Sequence, residues 1–590
     1  MKWTVKKSFF LIFVGIALLS LFPIANNTNI VESNTESPQI SSTTNAEYLI
    51  ITIDEFVDEL EPLSLWKNQK RISTDIITLA EIRNQYSGMD DQEKIKSCIL
   101  DYYTNRGTFW ILLAGDHEHI PSRDTFIDEG YAFDGNIVYS DHYYADLDNN
   151  WDLDGDSLYM ENNGDDEWDY FSEVYVGRLP ANSEMEMSML VNRILNYEKY
   201  PPVGEWMETA LFAGIVMGYE LDLDNNGVLD WPGGDTNRLN NYIVDQIIED
   251  DWTVHLLGET EGLAPSAYFY TEPVNKVNFH NRLEQGSSLM SIFGHSMPQT
   301  INRHIWTIDS DGDGLYDPYP IDTVEKINLL NASEDELVMD SAKYCMAFTG
   351  GCSSGNFTED EDCVAEYLLK TVAIGSVGPS QIAWFQDNWT EVEYGGWYAD
   401  GLNFRFFEQL HNYHQPAQAL ALAKQDYVID RDIFGTTEWY PAPQWDEKTL
   451  RQFNYFGDPS VEIWMWIPEE IDASWEFRGS GSGYEVTVTA DSEILPNAHV
   501  TLSNDTDVIW EGQTHSNGMV FPEYDRSYQS GEHLTLTITK HTHLPKIQSI
   551  PHATQRNIPG FSSFIILMIA FCSVCIIGKK LKRELRKSQI

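Results

Sequence analysis

The sequence predicts an α/β protein built on a parallel sheet, followed by a small β-sandwich and a hydrophobic C-terminal segment. Short apolar runs, such as 48–52 and 108–114, alternate with helical stretches, the pattern that lays helices on the faces of a parallel sheet. Two further apolar runs, 288–293 and 342–349, stop on glycine, as buried strands do where the backbone must turn sharply into a loop. After Pro468 the runs become short, alternating and turn-punctuated, which is the signature of a sandwich.

The elements follow in order. Lys2, Lys6 and Lys7 precede an apolar run at 9–22, so 1–25 reads as a secretory signal peptide, with an uncleaved anchor as the alternative. Residues 26–46 are rich in Asn, Ser and Thr and form a linker. Strands are expected at 48–52, 73–79, 108–114, 174–176, 211–216, 253–257, 289–293, 344–348 and 372–376. Helices are expected at 60–68, 92–105, 185–200, 236–250 and 399–411. The sandwich occupies 468–550. Residues 559–578 are apolar enough to span a membrane, and the basic tail 579–590 would stay on the cytoplasmic side. The Pro559-Gly560-Phe561 lead-in also resembles a sorting signal whose tail is removed, and both readings stay open.

Charge narrows the partners. With 92 acidic against 37 basic residues and a net charge of −55, the chain is a poor match for nucleic acid. Its surface suits water, cations or basic substrates. Six cysteines in 590 residues do not make a disulfide framework, and Cys572 and Cys575 lie in the hydrophobic tail.

Chemistry is expected where the two glycine-terminated strands end. One runs into Gly294-His295-Ser296 and the other into Gly350-Gly351-Cys352. Ligands bind at the carboxyl ends of parallel strands. If the strands are neighbours, a cysteine nucleophile meets a histidine base, and the backbone N–H groups of Ser296 and Cys352 are placed to hold an oxyanion.

Around this pair the chain resembles the gingipain-type cysteine peptidases of peptidase family C25, relatives of the caspases. The resemblance rests on ILLAGDHEHIPSRD from Ile111, SDHYYADLD from Ser140, DYFSEVYVGRLP from Asp169 and SIFGHS from Ser291. It continues through TGGCSSGNF from Thr349, VAIGSVGPS from Val372 and FGDPSVEIW from Phe456. It implies a caspase-like unit of two subdomains, 47–200 and a catalytic 201–467, with an immunoglobulin-like module behind them. It implies His295 as general base, Cys352 as nucleophile and Asp141 as the acid that orients the histidine. It further implies Asp169 as the carboxylate that receives an arginine or lysine side chain of a protein or peptide substrate, with Trp384 as a pocket wall. Two departures stand out: Ser296 replaces the glycine that usually follows the histidine, and no long inhibitory segment precedes the folded region.

Three acidic loops suit calcium, which takes six to eight oxygen ligands. Asp309, Asp311, Asp313 and Asp317 alternate around a glycine turn. Asp222, Asp224, Asn226 and Asp230 repeat the spacing, and Asn150, Asp152 and Asp154 give a poorer copy. The expectation is thus a calcium-stabilised peptidase, exported and membrane-held at the cell surface. The competing reading is a non-enzymatic calcium-binding adhesion protein on the same scaffold.

Overall fold

The structure, a computed structural model, describes residues 45–127, 137–161, 166, 168–222, 233–317, 322–337, 342–386, 396–431, 443–478, 483–524 and 533–551. The expected signal peptide, hydrophobic segment and basic tail lie outside these residues, as do Asp224, Asn226 and Asp230. Among the described residues no helix is long and apolar enough to cross a membrane.

One sheet of eleven strands organises the molecule. Its spatial order is Glu272–Pro273, Thr253–Gly258, Thr209–Ala213, Leu289–Ile292, Cys345–Thr349, Ala373–Pro379, Phe453–Gly457, Tyr175–Leu179, Trp110–Ala114, Tyr48–Thr52 and Thr74–Thr78. Central strands such as Cys345–Thr349 are buried along their whole length, as expected when helices cover both faces.

The expectation of one parallel sheet needs correction. The first six strands in that order run parallel to one another and so do the last five, but the two sets meet antiparallel where Ala373–Pro379 pairs with Phe453–Gly457. The cause is a late strand. After the helices Pro416–Arg431 and Pro443–Gln452 the chain returns and inserts Phe453–Gly457 between the two sets. Asp458, which ends that strand, accepts a hydrogen bond from the buried Tyr48 hydroxyl at 3.0 Å, tying the latest strand to the earliest.

Between the histidine and cysteine strands the chain makes an excursion. His295–Met297, Thr300–Ile308 and Thr323–Asn331 form a separate three-stranded antiparallel sheet, with the acidic loop at its tip. This accounts for the long sequence separation of His295 and Cys352.

The C-terminal region folds as two sheets around a core that includes Ile471, Tyr484, Val486, Val500, Leu502, Leu536 and Ile550. It leans on the first helix of the main unit. The Gln69 amide donates to the Ser503 hydroxyl at 2.8 Å, and the Thr501 hydroxyl donates to the Gln69 carbonyl at 2.8 Å.

Candidate active site

The site begins with two adjacent strand ends. Leu289–Ile292 and Cys345–Thr349 are parallel neighbours with Ile292 opposite Thr349, and the Gly350 N–H donates to the Ile292 carbonyl at 2.9 Å. Beyond them the turns pack against each other. A Cβ on Gly351 would lie 1.9 Å from Ser296 Oγ and 2.6 Å from the Gly294 carbonyl, so glycine is what lets the Cys352 turn close on the His295 turn. Ser353, beside the thiol, takes φ 54, a left-handed conformation that a side chain adopts only when its surroundings enforce it.

Each reactive group has defined surroundings. The Cys352 thiol donates to the Ala383 carbonyl at 3.6 Å. The His295 ring stacks on His304, with ring centroids 3.9 Å apart and planes 15° from parallel, and the nearby Met217 backbone favours its charged form. Burial, then the charge of a protonated His304 and that of Lys326, push the His295 imidazole down to about 4, so its ring stays neutral over a wide pH range. His304 is itself held low, by burial and by Lys326, which lies opposite it on the next strand. Replacing His304 with phenylalanine keeps a ring on the stack and removes one charge. The limb of the pH–rate profile that reports His295 then moves to higher pH, by up to about one unit, because burial is the larger cause. An unmoved limb would show that His304 serves packing alone.

The predicted orienting acid lies elsewhere. Both carboxylate oxygens of Asp141 accept from the buried Arg178 guanidinium, at 2.7 and 2.8 Å, and the Asp141 N–H donates to the Asn454 side chain. Arg178 has no exposure and needs a counter-charge; Asp141 supplies it and makes no hydrogen bond to His295. The side chain packed on the imidazole is instead His304, which stacks on it.

Asp169 and Trp384 belong to one region of the site. Asp169 is half-buried, and its carboxyl is held above the usual range by burial and by the nearby Asp146 and Asp148. It accepts from the Phe171 N–H at 2.8 Å and makes no salt bridge to a basic side chain among the described residues. Trp384 stacks on Trp445 at 4.7 Å. Trp445 sits in the helix Pro443–Gln452, whose Arg451 lies over the Trp168 ring and whose Glu447 carbonyl accepts from the Tyr170 hydroxyl. This helix, absent from the sequence reading, links the residues flanking Asp169 to Trp384.

Comparison with known proteins places this arrangement. The model of peptidase family C25 matches residues 41–464. The chain belongs to peptidase family C25. Gingipain R2 of Porphyromonas gingivalis is 21% identical over 520 residues, covering 86% of this chain and 57% of the relative. Gingipain R1 of the same species is 21% identical over 481 residues, covering 77% and 39%. The chain therefore spans little more than half of the first relative and well under half of the second. Among solved structures, the Arg-specific cysteine proteinase gingipain R (RgpB) aligns with a TM-score of 0.58 at 17% identity, covering 88% of this chain and all of that one. A complex of the RgpB pro- and mature domains aligns at 0.56. These structures share the fold.

A serine after His295 leaves its backbone N–H clear of the ladder for a visible reason. Met297 and Thr300 close a hairpin with a two-residue loop, which puts Ser296 and Ile301 in a pair that exchanges no ladder hydrogen bonds. The Ser296 N–H thus points out of the hairpin, and its hydroxyl turns back to the Gly294 carbonyl at 3.2 Å.

The acidic loops keep part of the expected ligand sets. Carboxylate oxygens of Asp309, Asp311 and Asp313 lie within 4.8 Å of one another, as do those of Asp152, Asp154 and Asp166. Asp317 is not in these groups. The Asp317 N–H donates to Asp322 at 3.0 Å, and Asn150 accepts from the Asp152 N–H at 3.2 Å. Asp222 is buried, and its expected partners lie outside the described residues. A further group, Asp146, Asp148 and Glu173, was not legible because its members come from two separate segments.

Proposed function

We propose that this C25 chain is an exported cysteine endopeptidase that cuts after arginine, and by extension lysine, through an acyl-enzyme. The observation that carries the reading is the closure of the Gly351–Cys352 turn onto Gly294–Ser296, which sets a thiol and an imidazole at neighbouring strand ends. In the reaction His295 takes the thiol proton and the sulfur attacks the peptide carbonyl. The N–H groups of Ser296 and Cys352 receive the oxyanion. His295 then gives its proton to the leaving amine, and water releases the acyl group. A basic side chain ahead of the cut is favoured by Asp169, whose charge lacks a basic partner; the solved relative is itself described as Arg-specific.

The acidic loops Asp309–Asp313 and Asp152–Asp166 have the hard oxygen donors that calcium prefers, and an ion there would hold the loops folded. The signal-like 1–25 and the apolar 559–578 with its basic end support export and retention at the cell surface, by a membrane anchor or by a processed tail. The test is hydrolysis of matched peptides by the purified protein. Arginine ahead of the cut should be preferred over glutamine by at least about 100-fold in kcat/KM, because the half-buried Asp169 carboxylate is costly to leave unpaired. Equal rates would overturn the specificity, and no cleavage would overturn the reading. Adding a chelator should lower Tm by about 3–6 °C; an unmoved Tm would remove calcium.

A further inference from the structure

Beside the two turns lies a cleft of about 320 Å³ that the reaction above leaves unused. Tyr219, Leu263, Trp306, Tyr316 and Phe385 are among the residues that line it. Its walls are fixed internally. The Tyr219 hydroxyl donates to the His304 carbonyl and accepts from the Trp306 N–H, both at 2.8 Å. The rings of Tyr219, Trp306 and Tyr316 pack on one another with centroids 5.3 to 5.8 Å apart. Tyr316 comes from the acidic loop, so the excursion between histidine and cysteine builds one side of the cleft.

The cleft adjoins both reactive groups. Tyr219 lines it and donates to the carbonyl of His304, whose ring stacks on that of His295. Phe385 lines it two residues after Ala383, whose carbonyl accepts from the Cys352 thiol. An extended peptide advances about 3.3 Å per residue. A substrate lying across the thiol therefore brings a side chain two or three positions from the cut to the cleft.

The chemistry of the lining selects the occupant. The carboxylates of Asp235 and Asp400 are engaged within the protein, by the Ser266 hydroxyl at 2.7 Å and the Gln386 N–H at 2.6 Å. What remains to meet a ligand is the ring surface and Leu263, which is half-exposed, beside the charged side chains of Glu220 and Arg238. Aromatic side chains fill such space with offset or edge-to-face contacts. We propose that this cleft is a specificity subsite that takes an aromatic side chain of the peptide substrate two or three residues from the cleaved bond. The proposal rests on the peptidase reading above.

The experiment is cleavage of a peptide library with arginine fixed ahead of the cut, sequenced on both sides, by the full chain and by Tyr316→Ala and Leu263→Ala. Both substituted residues are partly exposed, so the fold should survive, and a melting curve checks that it does. The unaltered protein should enrich Phe, Tyr or Trp at one position within three residues of the cut. Each variant should lose about tenfold in kcat/KM on those peptides and be unchanged on peptides with alanine at that position. Cleavage without aromatic enrichment, enrichment of basic residues instead, or enrichment that both folded variants retain would overturn the subsite and leave the peptidase standing. Absence of any cleavage would overturn both.

Discussion

Cys352→Ala should abolish hydrolysis of arginine-containing peptides, a loss of at least about 10⁴-fold in kcat, while leaving Tm almost unchanged. Loss of the nucleophile removes the acyl-enzyme route altogether, whereas the structural cost is small: Cys352 is only half-buried, and its thiol makes a weak bond to a carbonyl. The other described cysteines supply the control. Cys98, Cys345 and Cys363 are free and buried, and burial pushes the thiols of Cys98 and Cys345 up to about 12, so they stay protonated and unreactive at neutral pH. A brief pulse of iodoacetamide should therefore label Cys352 and remove activity in parallel, and Cys345→Ala should remain active. Retained activity in Cys352→Ala would sink the mechanism. Labelling that falls on a buried thiol while activity disappears would do the same.

The parts of the fold that could be read were those that local chemistry dictates. Continuous apolar runs closed by glycine, such as Leu289–Ile292 before Gly294 and Cys345–Thr349 before Gly350, announce buried parallel strands wherever they occur. Their adjacency, expected from the two glycine-terminated ends, is what packs the Gly294–Ser296 and Gly350–Cys352 turns together. What escaped was set by tertiary pairing. The helices Val364–Thr371, Pro416–Arg431 and Pro443–Gln452 were missed; the second contains residues such as Ala419, Leu420, Ala423, Tyr427 and Val428 buried around much of its circumference, which blurs a one-sided periodicity. The direction of Phe453–Gly457 was equally hidden, since an apolar strand reads the same in either sense. The pairing of Asp141 with Arg178 was hidden because a carboxylate carries no sign of its partner, and the same holds for the stacking of His304 on His295.

The Asp141–Arg178 pair separates these roles experimentally. If Asp141 served His295, Asp141→Asn would lower kcat with little effect on stability. The geometry gives the opposite expectation. The variant keeps a side chain of the same shape but leaves the Arg178 guanidinium, fully buried beneath the Phe357 ring, with backbone carbonyls of Gly115 and Ile120 and no counter-charge. An unpaired buried charge costs about 3–5 kcal/mol, a large share of the stability of an ordinary domain. Asp141→Asn should therefore lower the urea midpoint sharply, while kcat per folded molecule and the pH limb reporting His295 stay where they were. Arg178→Met together with Asp141→Leu should recover much of the loss, because removing both partners leaves no charge to solvate. If the single variant kept its midpoint and lost kcat, Asp141 would return to the catalytic machinery.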